Sequence, residues 1–160
     1  MKFSITTQSF YAEGLQFGAS LPGDAVEIEQ STADELFQAI NNGARVYSES
    51  GVLKTSEPRP DQYHTWDSYS LSWVITDENA ETQKNDQREQ AEAEKQERIK
   101  QANEYINSKQ WPGKAVMGRI SDAEKNQYNE WLDYLDALEA VDTSSAPDIT
   151  WPTAPVSQAS

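Results

Sequence analysis

The chain has 160 residues, room for one ordinary domain or two small ones. Only 36% of its residues are hydrophobic and mean hydropathy is -0.82, so the core is expected to be thin; no apolar run is long enough to span a bilayer. A formal net charge of -14 argues against nucleic-acid binding, which needs Lys and Arg to displace counterions, and zero cysteines exclude disulfides and thiolate metal sites.

Residues 1–76 read as a small β-rich domain with one short helix. Lys2-Phe3-Ser4-Ile5-Thr6 alternates polar and apolar, as a half-buried strand does. Its start lacks the apolar core of a signal peptide, which points to the cytoplasm in which the chain is made. Leu21-Pro22-Gly23-Asp24 signals a turn, and Ala25 to Glu29 alternates again. A helix is expected next: Thr32 and Glu35 form a capping-box pair, Ala33, Leu36, Phe37 and Ile40 share a face, and Gly43 is placed to stop it. Ala44 to Tyr47 and Val52 to Thr55 read as paired strands around a Ser50-Gly51 turn, and Pro58 and Pro60 mark a loop. His64 to Thr76 is rich in β-formers. Within it Tyr69 and Trp73 share strand parity with Leu71, while Trp66 lies on the opposite parity unless a bulge intervenes, so these aromatics cannot all face one core.

Residues 77–110 change character. From Asp77 to Ile106 the chain is Glu, Gln, Lys, Arg, Asn and Ala without Gly or Pro, a composition with high summed helix propensity. Glu94 and Arg98 have the favourable i,i+4 order. No large apolar residue occurs between Asn79 and Arg98, so the expectation is a long solvated connecting helix that docks only from Ile99 onward, by Ala102, Tyr105 and Ile106; a flexible charged linker is the alternative.

Residues 111–160 read as a small helical domain with a Trp-Pro tail. Ser108 to Gly113 is expected to turn, and Ala115, Val116, Met117 and Ile120 to reach the core. Ser121 and Glu124 fit a capping box that opens an amphipathic helix, with Tyr128, Trp131, Leu132, Leu135 and Leu138 on its buried face. It should stop near Val141 or Asp142, because Thr143, Ser144 and Ser145 favour local side-chain bonds and Pro147 disfavours helix at Ala146. Trp151 is expected to fold back on an apolar face, a burial worth roughly 2–3 kcal/mol. Val156 to Ser160 read as disordered.

The order of rare residues in Asn103-Glu104-Tyr105-Ile106-Asn107-Ser108-Lys109-Gln110-Trp111-Pro112-Gly113-Lys114, in Trp131-Leu132-Asp133-Tyr134-Leu135, in Val141 to Ile149 and in Trp151-Pro152 resembles the phage tail fibre assembly protein family. The resemblance is close over the last third of the chain. It implies a dedicated chaperone without cofactor or metal, working in the host cell cytoplasm. A variable N-terminal domain would contact the C-terminal region of a trimeric tail fibre protein, and a shared C-terminal domain would support assembly. A structural tip-capping or receptor-binding component that stays on the fibre in the virion is the alternative. Fibre chains expose strand edges and apolar surface before they close, so a β-rich partner can hold them by edge pairing or by an aromatic patch. On this reading the candidate fibre-binding residues are Phe3, Ile5, Trp66, Tyr69 and Trp73, although core burial is the ordinary fate of any one aromatic. Trp111, Tyr128, Trp131, Leu135, Pro147 and Trp151 mark the assembly domain.

The fold class expected is therefore α+β, with no nucleic-acid or membrane partner; the acidic charge makes free copies repel one another and leaves only weak self-association open. A DNA mimic is a further reading of that charge, weakened by the basic residues interspersed with the acidic ones. No catalytic pattern emerges, and the chain is read as a non-enzyme. His64 is the sole histidine, and with Asp67 it would make at most an isolated dyad; Gly113 and Gly118 lack phosphate-loop spacing.

Overall fold

A computed structural model describes residues 1–156, an α+β chain that divides into two compact units between Ala80 and Glu81. The sequence expectation for Val156 to Ser160 lies, beyond Val156, outside the described residues.

In the first unit, β1 (Lys2–Ser4) is the centre of a three-stranded antiparallel sheet, flanked by β2 (Ser9–Tyr11) and β3 (Val26–Glu27). Phe3 pairs with Phe10 on one side and Val26 on the other. α1 (Gln30–Asn41) lays Leu36 and Ile40 against this sheet, and Phe3, Leu36 and Val46 form the buried centre, joined by Ile5, Phe10, Ile28 and Leu53. The expected capping box does not form: α1 starts earlier, behind Glu29, with no side-chain cap. Phe37 is 56% exposed and meets only the rim of the core, its ring 6.1 Å from that of Phe10. Gly43 ends the helix as expected, at a φ of 87° that favours glycine.

β4 (Val46–Glu49) and β5 (Val52–Thr55) form a hairpin in register Glu49↔Val52 to Val46↔Thr55, closed by Ser50 and Gly51, both at positive φ. Two side chains tie these pieces together. The Ser4 hydroxyl, wholly buried, donates to Asp24 Oδ1 at 2.7 Å, and Asp24 Oδ2 accepts from Thr6 N–H at 2.8 Å. The Gln8 amide donates to Val46 C=O at 2.8 Å and accepts from Val46 N–H at 2.8 Å, and so stands where a neighbouring strand would pair with β4.

His64 to Thr76 is not one extended run. It folds on itself as the hairpin β6 (His64–Asp67) and β7 (Ser72–Ile75), with Trp66 directly opposite Trp73. This replaces the parity argument: the two tryptophans share a face because they are cross-strand partners, and Tyr69 lies in the turn between them.

α2 (Asp77–Ser108) begins within the first unit, where the Asn79 side chain donates to Tyr63 C=O at 2.9 Å. The second unit holds the rest of α2, then α3 (Trp111–Val116) and α4 (Asp122–Glu139). Its buried cluster is Ala102, Ile106, Trp111, Trp131, Tyr134 and Leu138, with Ile99, Tyr105, Ile120, Tyr128, Leu135 and Trp151 packed against it. The Ser121–Glu124 capping box is present, and α4 ends slightly early, with Ala140 as its cap. Tyr134, not Leu132, completes the buried face; Leu132 is 38% exposed. Val116 and Met117, expected in the core, are 86% and 72% exposed, because α3 turns Trp111 inward and its far end outward.

Docking along α2 begins before Ile99. Ala91 is buried, and Lys95 Nζ donates to the carbonyls of Glu139 at 2.8 Å and Val141 at 3.0 Å, which satisfies acceptors left open at the end of α4. Asp142 then caps the short turn Thr143–Ser145 by accepting from Ser144 N–H at 2.9 Å.

Candidate functional site

The exposed end of the β6–β7 hairpin is a turn without Gly or Pro, ordered by one carboxylate. Asp67 Oδ1 accepts from Tyr69 N–H at 3.1 Å, and Oδ2 accepts from Ser70 N–H at 3.2 Å and its hydroxyl at 2.7 Å. The Ser70 hydroxyl bond leads the causes that hold the Asp67 carboxyl below its ordinary range. Leu71 adopts a φ of 50° to bring the chain back. The outcome is a tyrosine held out almost completely: Tyr69 is 99% exposed.

Behind the turn lies an aromatic stack. The Trp66 and Trp73 rings meet edge to face at 5.4 Å, and Trp66 lies 5.4 Å from Tyr47 on β4. Trp73 Nε1–H donates to Glu57 C=O at 2.9 Å and lies 3.2 Å from Ser56 Oγ, and the Arg59 guanidinium stands 6.0 Å from its ring. Arg59 also donates to the carbonyls of Gln62 and His64, both at 2.7 Å. Trp66 and Trp73 are half-buried, so each presents part of a ring while the other part fastens the hairpin.

The sequence-derived candidates therefore separate. Trp66, Tyr69 and Trp73 come together on one hairpin. Phe3 is completely buried at the centre of the first unit and offers no surface, and Ile5 is half-buried against the same core. Tyr47 and Arg59, which complete the stack, carry no sequence signal of their own.

Strand edges are the second feature. The two-residue turn makes Glu49↔Val52 a hydrogen-bonded pair, and alternation then directs the backbone groups of Leu53 and Thr55 away from β4. Among the described residues no strand lies on that side of β5, and Val52 at its start is 59% exposed.

In the second unit Trp111 and Trp131 are core, at 1% and 9% exposure, with Tyr105 stacked on Trp131 at 4.3 Å and Tyr128 beside Trp111 at 5.7 Å. Leu135 packs against the same cluster. Pro147 follows a cis peptide bond and is exposed. Trp151 folds back, as expected, against this cluster, and its ring lies under the Arg98 guanidinium at 4.9 Å, so α2 supplies part of its seat. At the start of α4, Lys114 Nζ donates to Glu124 Oε1 at 2.5 Å; that bond and the Ser121 N–H lower the Glu124 carboxyl to about 2.

The lone histidine pairs with Asp61, not Asp67. Asp61 Oδ1 lies 2.6 Å from His64 Nδ1 and accepts from the backbone N–H groups of Tyr63 at 2.9 Å and His64 at 3.1 Å, the pattern of a turn clasp. Among the described residues no group of three or more His, Asp and Glu side chains is placed to hold a metal ion, and no helix is long and apolar enough to cross a membrane.

The model of the family described as Caudovirales tail fibre assembly protein, lambda gpK, matches residues 24–156. The chain is also similar to two proteins of Escherichia coli (strain K12). It is 43% identical to uncharacterized protein YfdK over 162 aligned residues, covering 98% of this chain and 97% of the relative. It is 57% identical to uncharacterized protein YmfS over 69 residues, covering 43% of this chain and 50% of the relative. No solved structure matches.

Proposed function

The chain belongs to the Caudovirales tail fibre assembly protein family, and from its place in phage tail fibre assembly we propose that it is a chaperone for the C-terminal region of a trimeric fibre protein. It binds the fibre tip through its first unit, in the host cell cytoplasm, and promotes folding and trimerisation by binding alone, with no catalytic step. The observation that carries this reading is Tyr69, a large aromatic held fully in solvent by a turn whose ordering is already complete. Aromatic side chains presented rigidly are the usual anchors of protein interfaces, because little further entropy is lost on binding. The open edge of β5, close in sequence to the Tyr47 that joins the stack, offers backbone groups to an extended fibre segment.

Co-expression of a candidate tail fibre gene with and without this chain tests the proposal. A higher yield of soluble fibre trimer, with the chain retained on it in a pull-down, is the expected result. Equal yields together with no retained fibre would remove it. Mass spectrometry of purified particles then distinguishes a chaperone that leaves from a tip component that stays.

A further inference from the structure

Two apolar surfaces of the second unit carry opposite charge. The first is a knob. Val116 and Met117 are 86% and 72% exposed at the end of α3, where Trp111, 1% exposed, anchors the helix from below. Gly118, at a φ of 63°, reverses the chain, and Arg119 N–H returns to Lys114 C=O at 2.8 Å, so the two apolar side chains stand on a closed turn. Arg119 is exposed beside them, and Lys114, engaged by Glu124, lines the same open cleft of about 640 Å³ with Pro112. The second surface is a groove of about 350 Å³ between α4 and the tail. Tyr134, Ala137, Pro152 and Pro155 line its floor, and Glu130 and Asp133 stand on its rim. From Asn126 to Glu139, α4 carries Glu130, Asp133, Asp136 and Glu139 and no Lys or Arg.

We propose that the knob of one copy docks into the groove of a second copy, with Met117 on the Tyr134–Pro152 floor and Arg119 against Glu130 and Asp133. The occupant follows from the charges. In a chain of net charge -14, a cationic apolar knob needs an acidic apolar seat, and this unit displays one. Methionine is suited to such a seat because its unbranched side chain adapts to irregular surfaces. Start and middle of α4 lie roughly 18 Å apart by helical rise, so knob and groove are separate surfaces of one copy. Two copies can exchange knob and groove reciprocally across a two-fold axis, or repeat the contact head-to-tail in a ring or chain. The inference does not depend on the fibre-binding surface, which lies in the other unit.

Sedimentation of the full chain tests it. Wild type is expected to gain mass with concentration up to about 1 mM at ~0.1 M salt. Met117→Asp removes the knob and Ala137→Lys blocks the groove; both positions are exposed, so circular dichroism and melting should match wild type. Each variant alone should associate at least about tenfold more weakly than wild type. Mixed, they retain one good knob and one good groove and should form a dimer that grows no further. Wild type that stays monomeric throughout, or a mixture that stays monomeric, would each overturn the proposal.

Discussion

Replacing Trp151 with Ala should release the C-terminal tail and destabilise the second unit by about 2–3.5 kcal/mol. Full Trp→Ala truncation in a core costs about 3–5 kcal/mol; Trp151 is half-buried, which leaves about 1.5–2.5. The Arg98 guanidinium, 4.9 Å from the ring at a partly exposed site, contributes about 0.5–1 more. The tail from Asp142 to Pro152 has one turn of regular structure, so little else holds it. The loss should reach α2 as well. Gln87, Ala91 and Glu94 line the same depression as Pro147, Ile149 and Trp151, and this part of α2 has no large apolar side chain to keep it folded. Thermal unfolding should show the second unit melting about 10–20 °C lower, and amide exchange should rise in both the tail and the Gln87–Arg98 stretch. Arg98→Met should reproduce only the cation–ring part. A shift below about 0.5 kcal/mol with unchanged exchange in the tail would refute the argument that Trp151 pins it.

Three further outcomes are expected. Gln8→Ala leaves both Val46 backbone groups without their partner at a part-buried site and should cost about 2–4 kcal/mol, measured by urea unfolding of the first unit. Tyr69→Ala should leave stability within about 0.5 kcal/mol while weakening retention of the fibre at least about tenfold, and an unchanged pull-down would remove Tyr69 as an anchor. The Glu124 carboxyl is lowered from 4.5 to about 2, so its bonds to Lys114 and Ser121 stabilise the fold fully above pH ~4.5 and are lost as pH falls toward 2. Glu124→Gln should therefore flatten the acid limb of a stability–pH curve in that window; a limb as steep as that of wild type would show that other carboxylates dominate it.

Local chemistry made several elements legible in advance. The Ser121–Glu124 box, the length of α2 and the Ser50-Gly51 hairpin each rest on residues whose preference agrees with their environment. The β6–β7 turn was not legible, because Asp67 builds it with side-chain bonds and Leu71 supplies the positive φ that a glycine would have announced. Early docking of α2 was hidden for another reason. Ala91 docks through its small size and Lys95 through its hydrogen bonds, and neither registers as a hydrophobic stripe. Val116 and Met117 misled in the opposite direction: apolar residues at a domain edge read as core until α3 is seen to point them outward. Of the candidate surface, Trp66, Tyr69 and Trp73 were visible as aromatics, but their common location depended on the hairpin fold.

An open two-stranded ribbon carries a hazard: an edge that pairs with one extended segment offers a template for a second, and then a third. Gln8 answers that hazard with one amide. By occupying both hydrogen-bonding groups of Val46 it blocks the start of the outer flank of β4. Growth there is blocked by a side chain that cannot itself be extended. A further strand can therefore join that ribbon only beside β5, and growth of the sheet is confined to one direction.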